Sequence, residues 1–310
     1  MRELRDVAVG GLLSVAGAVD AGWARASVFR RLREKGWVPL GGGVWAEPGT
    51  RPDFPMRLRA VQLAAPELVV SHRAAAWLWR IELLEVEAEF TDLGGFRQRK
   101  GVRVRRGALR AEDVVGMASY GGLRVTGVDR TLADLLLSGP RDEALVAVDS
   151  ALSYRTVTVG DRRVRRGPLT RLDAIASALS GRSRGAVRAR DWLALADSAA
   201  GSPAETVARL RMYDAGLHPE TQAELVTPAG RLLRPDFLFR AQGVAVEIEG
   251  FAYHGRREDH RRDIARFNEL QQCAEVRIAL RFTAEEVFHS PATMIATIRR
   301  AMGTGHRRAS

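Results

Sequence analysis

Apolar positions along residues 4–48 recur first at helical spacing and then in alternation, predicting two short helices, a turn, a third helix and a hairpin. Val15, Ala16 and Val19 form one apolar face, Ala21-Gly22 interrupts it, and Ala26, Val28, Phe29 and Leu32 resume near helical spacing. Trp37-Val38-Pro39-Leu40, the glycines 41–43 and Val44-Trp45-Ala46 then read as strand, turn and strand. A helix-turn-helix followed by such a wing is a duplex-binding arrangement, and its second helix would present Arg25, Ser27, Arg30, Arg31 and Arg33.

From residue 55 the pattern alternates. Residues 56–64 and 72–79 read as helices, 86–90 and 102–105 as extended runs, and 143–152 as a further helix. Thr126 and Asp129 predict a capping box ahead of Leu132, Leu135 and Leu136. Ser202-Pro203-Ala204-Glu205 supplies an N-cap, a proline in the first turn and a capping-box glutamate, so a last domain is expected to open near 200. Within it the pattern predicts a helix to 214, a strand at 223–227, a hairpin over 232–250, a charged helix over 257–272, a strand at 276–282 and a helix after Ser290-Pro291. That order is αβββαβα. The expected architecture is an α+β multidomain chain: a winged helix-turn-helix at 1–50, an α/β middle domain at 51–155, an arginine-rich linker or helical segment at 156–201, the αβββαβα domain at 202–303 and a tail at 304–310.

Composition sharpens this. The 310 residues exceed one ordinary core, and 46% hydrophobic with 27% charged residues excludes a fibrous or wholly disordered chain. One cysteine, Cys273, excludes an internal disulfide and the cysteine-rich zinc sites. Lys35 and Lys100 are the only lysines among 48 basic residues; the net charge of +11 marks nucleic acid as the expected partner. Residues 155–190 hold ten arginines against Asp161 and Asp173, which reads either as a linker that touches phosphate or as a solvated surface. No apolar run approaches the roughly 18 residues of a membrane span. Glu3 and Asp6 cancel Arg2 and Arg5 ahead of the apolar stretch 7–19, which argues against a signal peptide and for a cytoplasmic protein with no membrane partner.

The candidate chemistry lies in the late hairpin. Folding it about Ala241-Gln242 sets Asp236 opposite Glu247, with Cβ atoms roughly 4.5 to 5.5 Å apart. Alternation places Glu249 on the same face and directs Val244, Val246 and Ile248 into the core. Opposed carboxylates repel and raise one another's pKa, so a cation is expected there. Oxygen ligands suit Mg²⁺ or Mn²⁺, which would activate water for phosphodiester hydrolysis. The alternative is neutralisation by Arg234, Arg281 or other arginines. Asp259, His260 and Asp263 on the following helix read as a solvated face.

Arg234-Pro235-Asp236, ten residues, then Glu247-Ile248-Glu249-Gly250 and Tyr253-His254-Gly255 resemble the PD-(D/E)XK nuclease superfamily, and within it the very-short-patch-repair endonuclease branch. The resemblance runs from Glu205 to about Ala301. It implies a restriction-endonuclease-like fold in which Glu205, Asp236 and Glu247 hold the metal. Gln222 matches a recurrent glutamine of that branch. Glu249 stands where the superfamily has a lysine, and the resemblance gives His254 the acid/base or phosphate-stabilising role in its place. In the front half, residues 12–48, the run Ser71-His72-Arg73-Ala74-Ala75-Ala76 and the stretch from Val125 to Leu132 resemble the abortive-infection AbiEi antitoxin family. That implies a repressor-like winged helix with a partner domain and a cognate toxin as partner.

Two functions are therefore expected. One is a DNA-binding protein with a Mg²⁺- or Mn²⁺-dependent endonuclease domain, acting through Asp236, Glu247, Glu249 and His254. The other is a non-catalytic antitoxin-like repressor with a degenerate nuclease fold.

Overall fold

The structure is a computed structural model that describes residues 3–94, 101–159, 162–181, 185–249 and 257–303. It mixes helices with several sheets and divides into two units, one of residues up to 80 with 85–135, the other of 81–84 with residues from 136 onward.

The first unit begins with β1 (Leu12–Ser14), α1 (Val15–Asp20), α2 (Arg25–Glu34), β2 (Val38–Gly41) and β3 (Val44–Ala46). Ser14 ends the strand and caps the helix, its hydroxyl accepting the Gly17 N–H at 3.3 Å. The first of the two short helices expected by residue 20 is a single 3₁₀ turn, Leu4–Val7. The expected two-stranded wing is a three-stranded sheet with β3 in the centre, because β1 adds to it. Leu13, Val15, Val28, Leu32 and Trp37 form the core beneath. The turn between β2 and β3 needs glycine at position 42, where φ is +59° and a Cβ would lie 2.7 Å from that of Ala64.

The unit continues with α3 (Phe54–Ala64), β4 (Leu68–Val70), α4 (His72–Leu78), β5 (Glu89–Asp92), β6 (Arg103–Arg106), β7 (Val114–Met117), β8 (Leu123–Thr126) and α5 (Val128–Ser138). The five strands run β6-β5-β4-β8-β7. Three of them, β4, β7 and β8, are strands that the sequence pattern does not single out. Val70 pairs with Val125, which brings the segments at 71–76 and 125–132 side by side. Buried charges tie this region together. Glu89 accepts Arg105 Nη2 at 2.8 Å and the Arg73 N–H at 2.9 Å, and Arg130 pairs with Asp113 and Asp134. Thr126 ends β8, and its hydroxyl lies 2.7 Å from that of Thr131.

The second unit starts at α6 (Arg141–Leu152) and continues through β9 (Arg155–Val159), β10 (Arg162–Arg166), α7 (Leu172–Leu179) and α8 (Ala186–Leu193). The stretch expected as an arginine-rich linker or helical segment contains a hairpin followed by two helices. It is followed by α9 (Pro203–Asp214), β11 (Glu220–Thr221), β12 (Leu225–Val226), β13 (Leu232–Leu233), β14 (Phe237–Phe239), β15 (Val244–Glu249), α10 (Arg257–Leu270), β16 (Ile278–Thr283), α11 (Ala284–His289) and α12 (Pro291–Gly303). The strand expected at 223–227 is β12, which pairs with β13 in a separate small hairpin, while the main sheet takes β11 as its edge strand; the order also gains α11, which Thr283 and Glu286 begin with a capping box. The main sheet runs β11-β14-β15-β16, with β15 and β16 parallel.

Domain contacts extend well upstream of residue 200 because α6 is bonded to α9. Asp149, fully buried, accepts Arg209 Nη2 at 2.7 Å and Thr206 Oγ1 at 2.9 Å on Oδ2, and the Asp197 N–H at 2.8 Å on Oδ1. β15 is buried on both faces. Val244, Val246 and Ile248 pack with Val207, Met212 and Phe282, while Ala245 packs with Leu238, Leu270 and Cys273. The acidic face of the hairpin is therefore covered rather than open.

Candidate acidic site

Four elements of the second unit supply the site. At the start of α9, Ser202 Oγ accepts the Glu205 N–H at 3.2 Å and Pro203 occupies the first turn. The Glu205 carboxylate turns back one residue further than a capping box would and accepts the Gly201 N–H at 2.7 Å. A Cβ on Gly201 would lie 2.9 Å from Glu205 Oε1, so glycine makes the approach possible.

Asp236 immediately precedes β14. The hairpin has the predicted register, Phe237 with Val246 and Phe239 with Val244, which points Asp236 at β15. Its Oδ2 accepts the Ile248 N–H at 2.8 Å and its Oδ1 accepts Gln222 Nε2 at 2.9 Å. Gln222 Nε2 also lies 3.5 Å from Glu205 Oε2, so one amide spans two acids. Gln222 holds a left-handed backbone, φ +52°, and its own N–H donates to the Asp236 carbonyl at 3.0 Å. A non-glycine residue in that conformation is uncommon and concentrates at functional positions.

Glu247, 5% exposed, faces two arginines. Arg266 Nη1 of α10 lies 2.6 Å from its Oε1, and Arg281 Nη2 of β16 lies 3.3 Å from its Oε2. Arg281 Nη1 reaches Glu249 at 3.0 Å and Asp263 at 2.7 Å, and the guanidinium rests 4.2 Å from the Phe267 ring centroid. Asp263, expected on a solvated face, is thus part of the cluster; the side chains of Asp259 and His260 lie outside the described residues. Arg234, named as a neutralising candidate, pairs instead with Glu224 and meets the cluster only through its carbonyl, which accepts Arg266 Nη2 at 2.7 Å. Sequence reasoning missed Arg266 and Gly201. Their signal is three-dimensional: α10 packing over β15, and a glycine one step ahead of an N-cap. His254 lies outside the described residues.

The electrostatics are uneven across the cluster. Burial, then the neighbouring Glu205 and Glu247 charges, push the Asp236 carboxyl up from the ordinary range. Burial pushes Glu205 up as well, opposed by the Gly201 N–H and by Arg155 at the foot of β9. Two adjacent acids thus lean toward the neutral form, and added positive charge would relieve both. Oε1 of Glu247 is buried without a hydrogen bond, since Arg266 stands close but out of line. No group of three His, Cys, Asp or Glu residues among the described residues is placed to hold a metal ion as it stands. The donor chemistry of Glu205, Asp236 and Glu247 nevertheless fits a hard cation, with the Gln222 amide and the Arg266 guanidinium paired to Glu247 as the groups that would have to yield.

In the first unit, Arg25, Arg30 and Arg33 are exposed along α2. Arg25 lies over Phe29, and Arg30 is 4.0 Å from Glu34. Ser27 and Arg31 are half-buried, Arg31 lying 5.0 Å from the Trp23 ring centroid. No helix among the described residues is long and apolar enough to cross a membrane.

No family model matches the chain. Two proteins from strains of Mycobacterium tuberculosis, uncharacterized protein MT2308 and uncharacterized protein Rv2248, are each 30% identical to it over 161 residues, which is 52% of this chain and 55% of theirs. The match therefore spans about half the length of these relatives.

Proposed function

We propose that the second unit is a divalent-metal-dependent nuclease domain and that the first unit places it on DNA as a winged helix. The observation that carries the reading is the bridge by which Gln222 joins Glu205 to Asp236, beside a buried Glu247 oxygen with no hydrogen bond. Glu205, Asp236 and Glu247 would hold Mg²⁺ or Mn²⁺, which supplies Lewis-acid charge to a phosphodiester. Gln222 and the Ile248 N–H fix the Asp236 carboxylate by its two oxygens. Arg281 holds Glu247 and Glu249 together, and Arg266, once displaced from Glu247, is a guanidinium within reach of a bound phosphate. The nuclease resemblance would give His254 the acid/base or phosphate-stabilising role, with Glu249 standing in sequence where the superfamily has a lysine. The exposed Arg25, Arg30 and Arg33 of α2 supply the contacts to duplex DNA.

A second reading, the antitoxin-like repressor, is favoured by one observation: Arg266 and Arg281 already neutralise Glu247 without a metal. Calorimetric titration with Mn²⁺ separates the two. The nuclease reading expects binding by the wild type that Asp236→Asn abolishes; absence of binding by both, with DNA affinity retained, would favour the repressor.

A further inference from the structure

The hairpin of β9 and β10 stands apart from every larger sheet as a two-stranded ribbon. Its pairing sets Arg163 opposite Thr158, Val164 opposite Val157, Arg165 opposite Thr156 and Arg166 opposite Arg155. Alternation therefore sorts the side chains onto two faces. One face is anchored to the body of the second unit: Arg155 Nε donates to Glu82 at 2.6 Å, and Arg166 donates to the Ser150 carbonyl at 2.7 Å and to the Gly167 carbonyl at 2.9 Å. The other face presents Tyr154, Thr156, Thr158, Arg163 and Arg165, all exposed. Arg165 lies 4.4 Å from the Tyr154 ring centroid, and that ring is 61% exposed.

The charges on this free face are unmatched. Elsewhere in the unit, Arg141, Arg209, Arg231, Arg240, Arg266 and Arg281 each pair with a carboxylate. Arg163 and Arg165 on this face, and Arg162 on the opposite one, have no such partner among the described residues, and the described residues of the ribbon include no acid. The exposed guanidiniums of Arg162, Arg163 and Arg165, close together on one ribbon, form a positive patch that favours a polyanion. An antiparallel ribbon is also narrow enough to enter the major groove of B-form DNA, whereas the deep, narrow major groove of A-form RNA excludes it.

We propose that the β9–β10 ribbon is a second DNA-contacting element, which lays Arg163 and Arg165 against the phosphates of a B-form duplex, with Thr156 and Thr158 beside them. The contact stands independently of any cutting by the acidic cluster.

The test is fluorescence anisotropy of a short labelled duplex in EDTA, over a series of salt concentrations, on the full chain. The paired variant Arg163→Ala, Arg165→Ala is compared with Arg171→Ala, Arg300→Ala, which removes the same charge from exposed positions elsewhere. The ribbon variant is expected to lose at least about tenfold in affinity near 100 mM salt, and the slope of log affinity against log salt is expected to fall by about 2, one for each phosphate contact. Its thermal midpoint should match the wild type. The proposal is overturned if both variants lose equally, which would indicate a bulk field, or if the ribbon variant loses nothing. Loss of binding to an RNA duplex or to anionic vesicles with DNA binding intact would overturn it too.

Discussion

Arg281 stands directly across from Glu247 in the parallel pairing of β15 with β16, and it shares its guanidinium among Glu247, Glu249 and Asp263. One cation thus serves three carboxylates, of which Glu247 is buried. Removing it leaves Glu247 to Arg266 alone and takes that cation from the half-exposed Glu249 and Asp263, so Arg281→Met is expected to cost about 2 kcal/mol in urea unfolding. Saturating Mn²⁺ should restore part of that loss. An unchanged midpoint would show that the cluster is not held by this arginine.

The Asp149 and Arg209 pair predicts a coupling. Both side chains are at most 1% exposed, and burial pushes the Asp149 carboxyl up while Arg209 pulls it down. Arg209→Met alone strands a buried carboxylate and is expected to cost about 3 to 5 kcal/mol. Asp149→Leu together with Arg209→Met should cost less than the sum of the two single changes in a double-mutant cycle by urea unfolding. Strict additivity would contradict the pairing.

His72 predicts an acid-sensitive first unit. Burial first, then Arg105, Arg130, Arg73 and Arg103, lowers its pKa from 6.5 to about 3. The folded ring stays neutral where the unfolded ring takes up a proton. The stability it supports is therefore complete above 6.5 and drains as the pH falls toward 3, by up to about 1.4 kcal/mol per pH unit. His72→Asn, which tolerates the left-handed φ of +50° there, should lose that part of the slope when unfolding is followed between about pH 4 and 6. Equal slopes in both proteins would refute the assignment.

Gly201 should matter to metal binding although it offers no ligand. A hydrogen on Cα is all that the Glu205 carboxylate leaves room for, since a Cβ there would lie 2.9 Å from its Oε1. Gly201→Ala is expected to weaken Mn²⁺ binding about tenfold by calorimetry, in the range seen when a ligand's supporting group is lost. Wild-type affinity in this variant would remove Glu205 from the metal set.

What could be read in the sequence is what local rules control. The hairpin register followed from its turn and the alternation of Val244, Val246 and Ile248, so Asp236 met β15 as expected. The position of Glu205 followed from the Ser202-Pro203 helix start. The left-handed Gln222 and the reach of Arg266 depend on how β11 and α10 pack on β14 and β15, which no local pattern encodes. The ribbon was hidden differently. Its β-branched Thr156, Val157, Thr158 and Val159 alternate as a strand should, but the surrounding arginines made the stretch resemble a solvated linker.

The most direct measurement is cleavage of supercoiled plasmid and of labelled single strands with Mg²⁺, Mn²⁺ or EDTA, comparing the wild type with Glu247→Ala. The account predicts metal-dependent cutting that the variant loses while its DNA affinity is kept. No cutting by the wild type with either cation, together with tight salt-sensitive DNA binding, would contradict it and leave the acidic cluster as an ion-paired structural element.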